Sequence, residues 1–139
     1  MKKINEVSQL AGVSKRTLQY YDDQEVFVVK RTDNNHRLYD EQALQNVWQT
    51  MIYKEMGFDL KQIKTMLSVS DEERYDIYND QKKKLQEEIC GIKVKEELIA
   101  YVLNEGIPEL PDENGGRTYA ECLEELQKRL STREDKGDE

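Results

Sequence analysis

The chain has 139 residues, 37% of them hydrophobic and 36% charged, with a formal net charge of −8 and a mean hydropathy of −0.92. That length allows one small domain plus an extension. The absence of any run of about 18 apolar residues excludes a transmembrane helix, and two cysteines are too few for a disulfide scaffold.

The N-terminus lacks the apolar core of a signal peptide, so a cytoplasmic location with no membrane partner is expected. One histidine, no Gly-rich phosphate loop and no metal-ligand cluster leave catalysis without residues to perform it. No enzyme, cofactor or metal is therefore expected. The acidity is uneven. Residues 1–70 carry a balance of +1 and residues 71–139 a balance of −9. Non-specific affinity for a polyanion should be modest and steeply salt-dependent.

Ile4, Val7, Leu10 and Ala11 recur at helical spacing, which predicts a first helix over 5–11. Gly12 permits a sharp turn. Ser14 is a good N-cap for a second helix over 17–21. This helix and its lead-in carry Lys15, Arg16, Thr17, Gln19 and Tyr20, side chains that suit phosphates and base edges in a major groove. The stretch from Ala11 to Asp22 thus reads as a helix-turn-helix, with Tyr21 inward and Tyr20 toward DNA.

Val26 to Lys30 is β-branched and aromatic, a strand candidate, and Arg37-Leu38-Tyr39 is a second. Between them Asn34-Asn35 can close a hairpin loop, since Asn tolerates positive φ. This is a β wing. His36, at its tip, reads as solvated or near phosphate. Asp40 caps a third helix with the stripe Leu44, Val47, Trp48, Met51 and Ile52, on which Trp48 reads as core. Asp59 with Gln62 is a capping box for a fourth helix bearing Leu60, Ile63, Met66 and Leu67.

Ser70 with Glu73 caps a longer segment over 71–104, interrupted by no proline and by Gly91 alone among glycines. Tyr78, Leu85, Ile92 and Ile99 fall seven apart, and Ile89 and Leu103 sit four beyond Leu85 and Ile99. This is a heptad seam, with Lys82 and Glu96 in two of its positions. A helix of roughly 34 residues runs about 50 Å. Its seam needs a partner helix, most simply from a second copy of the chain. Residues 104–117 read as a loop. Thr118 with Glu121 caps a last helix carrying Tyr119, Cys122, Leu123, Leu126 and Leu130, and residues 131–139 are expected to fray. Cys90 and Cys122, 32 positions apart with no third thiol, read as small buried hydrophobes rather than a soft-metal site.

Four blocks resemble the MerR family of transcription regulators in order and spacing: Gly12-Val13-Ser14, Thr17-Leu18-Gln19-Tyr20-Tyr21-Asp22, Asn34-Asn35-His36-Arg37-Leu38-Tyr39, and Gly57-Phe58-Asp59-Leu60-Lys61-Gln62-Ile63. Gln19 stands where the family usually has Arg, Asn35-His36 replaces Gly-Tyr at the wing tip, and Glu25 replaces a frequent Gly.

The resemblance implies a mainly α fold. Its parts are an N-terminal winged helix-turn-helix domain (1–70) with a small β-hairpin wing, a long coiled-coil dimerisation helix (71–104) and a short C-terminal helix in an effector and dimer-support segment (105–139). It also implies an antiparallel homodimer on a pseudo-palindromic promoter site. Such a dimer would distort the spacer for RNA polymerase when an effector binds. Ser14, Lys15, Arg16, Thr17 and Tyr20 would face double-stranded DNA, with Arg37 and Tyr39 on phosphates from the wing. Tyr78, Leu85, Ile89, Ile92, Ile99 and Leu103 would form the dimer seam, and Tyr101 and Tyr119 would line a site for a small organic effector. Two rival readings are an excisionase-like architectural DNA binder without effector and a protein-interaction module whose DNA reader has degenerated.

Overall fold

Short polar side chains set the starts of most of the helices. The computed structural model describes residues 1–137, with side chains through Thr132. Helix α1 (Ile4–Ala11) ends at Gly12, whose φ of 74° lets its N–H reach the Ser8 carbonyl. Helix α2 (Lys15–Asp23) begins at Ser14, whose Oγ accepts the Thr17 N–H at 3.0 Å. Helix α3 (Glu41–Glu55) begins at Asp40, which accepts the Ala43 N–H at 2.8 Å. That bond, and then Lys30, hold the Asp40 carboxyl below the usual carboxylate range. A lowered pKa means the cap is in place at neutral pH and is lost only as pH falls through that lowered value. Helix α4 (Leu60–Ser68) carries the expected capping box, with Asp59 and Gln62 exchanging bonds of 2.8 and 3.0 Å.

Three short strands make one antiparallel sheet in the order β1 (Lys2–Lys3), β3 (Arg37–Tyr39), β2 (Lys30–Arg31). Lys2 pairs with Tyr39, and Arg31 with Arg37. The strand expected over Val26 to Lys30 is corrected to its last residue and the one beyond. Glu25 takes a φ of 55° and the Val26 N–H bonds back to the Tyr21 carbonyl, so the chain is still turning out of α2 there. The valines serve burial instead, with Val26 and Val29 inside and Val28 exposed. β1 was not anticipated, because two residues carry no period to read.

The chain folds as two compact units, Met1–Ile77 and the residues from Tyr78 onward. In the first, Val7, Leu18, Tyr39, Ile63 and Met66 form the centre of the core, and Tyr53 meets Phe58 edge to face at 6.3 Å. Trp48 is 63% exposed, which corrects its placement in the core. On α3 the buried stripe runs through Ala43, Val47 and Thr50, one position to the side of the one read from sequence.

The long helix α5 (Asp71–Glu105) starts at Ser70, whose Oγ accepts the Glu73 N–H at 3.3 Å. A single 3-10 turn (Glu113–Gly115) precedes α6 (Tyr119–Gly137). Leu126 and Leu130 are buried there. The backbone stays helical to Gly137, where fraying was expected from residue 131; positions 138–139 lie outside the described residues. Cys90 is exposed and Cys122 half-buried, so neither is the buried hydrophobe expected. No helix among the described residues is long and apolar enough to cross a membrane.

Candidate nucleic-acid interface

On α2 the buried side chains are Leu18 and Tyr21, three apart, which fixes the opposite face outward. That outer face carries Lys15, Arg16, Gln19 and Tyr20, all exposed, with Thr17 half-buried. The Ser14 and Thr17 hydroxyls lie 2.9 Å apart at the helix start, beside the positive end of the helix dipole. Lys15 and Arg16 form no ion pair among the described residues. Cations, amide and phenol, together with a helix N-terminus on one exposed face, match the groups that phosphates and base edges accept. Tyr21 is inward and Tyr20 outward, as the sequence implies.

The wing is tied to this helix by charge. Asp22, at the last turn of α2, accepts from Arg31 at 2.8 Å and from Arg37 Nε at 2.7 Å. Arg37 also reaches Asp23 at 3.5 Å. The tip is a tight loop in which Asn35 has a φ of 64° and donates its N–H to the Thr32 carbonyl, while Thr32 donates to the His36 carbonyl. His36 is exposed there.

Sequence reasoning missed Asp22, because nothing in a sequence shows that one carboxylate faces two arginines 9 and 15 residues away. Its side chain is 13% exposed and that of Arg37 18%. Asp22→Asn should therefore cost the first unit about 1–2 kcal/mol by weakening two charge-assisted bonds at a part-buried site. Urea denaturation measures it. A loss under about 0.3 kcal/mol would mean that strand pairing alone holds the wing.

Tyr39 does not stand where a phosphate contact needs it. It is 1% exposed, and its hydroxyl is buried with no hydrogen-bond partner among the described residues. Burial raises the pKa of that phenol. The wing contact expected of Tyr39 is thus corrected to a core role, because its side chain is buried. Because an unpaired buried hydroxyl costs about 1–3 kcal/mol, Tyr39→Phe should leave the melting temperature unchanged or raise it, and a fall would reveal a bond the hydroxyl makes.

In the second unit the seam residues Leu85, Ile89, Ile92, Ile99 and Leu103 are exposed and Tyr78 is half-buried. Tyr101 is half-buried and Tyr119 exposed, and no hydrogen bond, ion pair or ring contact joins them among the described residues. An open cleft of about 370 Å³ in this unit is lined by Arg117, Glu121, Glu124, Glu125 and Lys128, a charged rather than aromatic setting.

A recognition helix, a β wing pinned to its last turn and two supporting helices define a winged helix-turn-helix reader. Residues 2–69 match the model of the MerR HTH family regulatory protein. MtaN, the N-terminal part of the Bacillus subtilis multidrug transporter activator, superposes with a TM-score of 0.69 at 31% identity, over 74% of this chain and 98% of that one.

The chain belongs to the MerR family. The transcriptional activator mta of Bacillus subtilis is 39% identical over 66 residues, 47% of this chain and 26% of that protein. The regulator ZntR of Escherichia coli is 27% identical over 96 residues, 68% of each. HiNmlR, described as a MerR family regulator lacking the sensor domain and bound to promoter DNA, superposes with a TM-score of 0.52 at 26% identity over 73% of this chain and 86% of that one. The chain spans 26% to 29% of the length of mta and of the Bradyrhizobium elkanii nodulation protein NolA, which it also matches.

Proposed function

We propose that this chain is a sequence-specific DNA-binding transcription regulator that acts as a homodimer on a pseudo-palindromic promoter site. The observation that carries the reading is the outer face of α2, where Lys15, Arg16, Gln19 and Tyr20 are exposed opposite the buried Leu18 and Tyr21. Ser14 and Thr17 extend that face to the helix N-terminus. Arg37 supports it from the wing, through Asp22.

The exposed seam of α5 supports the homodimer. A row of Leu85, Ile89, Ile92, Ile99 and Leu103 in water is costly for one chain and is relieved by a second. We read the chain in three parts, DNA reader over 1–70, dimer helix over 71–104 and a supporting segment over 105–139, while its contacts divide it into two units at Ile77. Distortion of the promoter spacer for RNA polymerase in response to an organic effector at Tyr101 and Tyr119 rests on the family resemblance alone.

Footprinting of the DNA upstream of the chain's own gene tests the reading. Wild type is expected to protect an inverted repeat, and Arg16→Ala to lose that protection at the same protein concentration. Absence of protection at low salt, with the protein folded, would overturn it and favour an interaction module.

A further inference from the structure

The outer face of α2 carries one side chain whose hydrogen-bonding pattern singles out a base. At about 3.6 residues per turn Arg16 lies opposite the buried Leu18 and Tyr21, and Gln19 and Tyr20 flank it on either side. All three are exposed. Gln19 has Lys15 one turn before it and Asp23 one turn after it. Its carboxamide bonds to neither, nor to any other side chain or backbone group among the described residues. Donor and acceptor both face outward from the helix with no claim on them from within the chain.

Charge limits how much of α2 can enter the groove of a polyanion. Lys15 and Arg16 stand in its first turn. Asp23, in its last turn, and Glu25 just beyond are both exposed carboxylates, the wrong sign for phosphates. Gln19 lies between the cations and the carboxylates. A cation at that position would hold a phosphate better than an amide does. What a carboxamide offers instead is a donor and an acceptor side by side. In the major groove adenine presents the complement, with N7 accepting and the N6 amino group donating. Guanine presents two acceptors there, cytosine a donor and thymine an acceptor.

We infer that Gln19 is a specificity-determining residue of α2, selecting adenine at one position of each half-site. Its Nε2 donates to adenine N7 and its Oε1 accepts from the N6 amino group. The inference rests on the DNA-binding reading and adds the base that one side chain selects.

Selection from randomised duplexes by the full chain tests it. Wild type is expected to enrich an inverted repeat with adenine at one position per half-site. Gln19→Ala should keep the rest of the repeat and lose the preference at that position. Gln19→Arg should turn it to guanine, whose O6 and N7 suit a guanidinium. Because Gln19 is exposed, both variants should keep the wild-type urea midpoint, which separates folding from reading.

Base analogues locate the two bonds. 7-Deazaadenine lacks the N7 acceptor and 2-aminopurine lacks the N6 amino group, and both still pair with thymine. Either one, placed at the selected position of one half-site, should weaken wild type about fivefold and Gln19→Ala by less than about twofold. Analogues that weaken both proteins alike would overturn the inference. So would Gln19→Ala losing affinity equally on every sequence with its base preferences intact, which would put Gln19 on the backbone and leave DNA binding in place. Failure of folded wild type to enrich any sequence at low salt would overturn the DNA-binding reading itself, and the base assignment with it.

Discussion

Leu18→Ala is expected to destabilise the first unit by about 3–4 kcal/mol. Leu18 is 1% exposed and lies on the inner face of α2, opposite Lys15 and Arg16. Removing three carbons there loses their transfer energy and leaves a void that the surrounding elements close only in part. A unit of fewer than 80 residues holds a net stability of only several kcal/mol, so the variant should be partly unfolded near 37 °C. Leu10→Ala serves as the contrast, because Leu10 is exposed on α1 and its truncation should stay within about 0.5 kcal/mol. Urea titration followed by Trp48 fluorescence reads both. A cost for Leu18→Ala below about 1 kcal/mol would mean that α2 is not held through this face.

Much of this reader was legible because its signals are local. Ser14, Asp40 and Asp59 each precede a helix by one residue and bond to the N–H three positions on. A cap of that kind needs no knowledge of the rest of the chain. The split of α2 into Leu18 and Tyr21 inward and Tyr20 outward likewise follows from a period within one element. What failed was long-range. Trp48 sits on an apolar stripe wide enough for several faces, and only packing decides which face is inside. Val26 to Val29 has strand composition, but pairing needs a partner of equal length, and β3 has three residues. Tyr39 carries a phenol that suits a phosphate, yet packing buries it. Asp22 belongs to a charge cluster whose members are dispersed in sequence.

That cluster makes the arginines of this chain unequal, and DNA binding should show it. Arg16 is exposed and forms no ion pair among the described residues, whereas Arg37 is paired with Asp22 and Asp23. Each phosphate neutralised contributes about 0.9 to the slope of log affinity against log salt. Arg16→Ala should weaken binding of the site by about 10- to 100-fold, two copies losing one contact each. If Arg16 holds phosphates, the slope should flatten by about 2 for the dimer.

A loss of affinity at unchanged slope, confined to the cognate site, would place Arg16 on a base edge instead. Arg37→Ala should behave differently. Its charge is already compensated by carboxylates, so the salt slope should change little, and what weakness appears should track loss of wing stability in urea. Arg37→Ala flattening the slope as much as Arg16→Ala would mean that Asp22 releases the wing when DNA arrives. The acidic second half, with its balance of −9, adds a repulsive background common to all variants. Differences in slope between variants therefore report the contacts themselves, and titrations from 50 to 300 mM salt at constant protein would separate the two arginines.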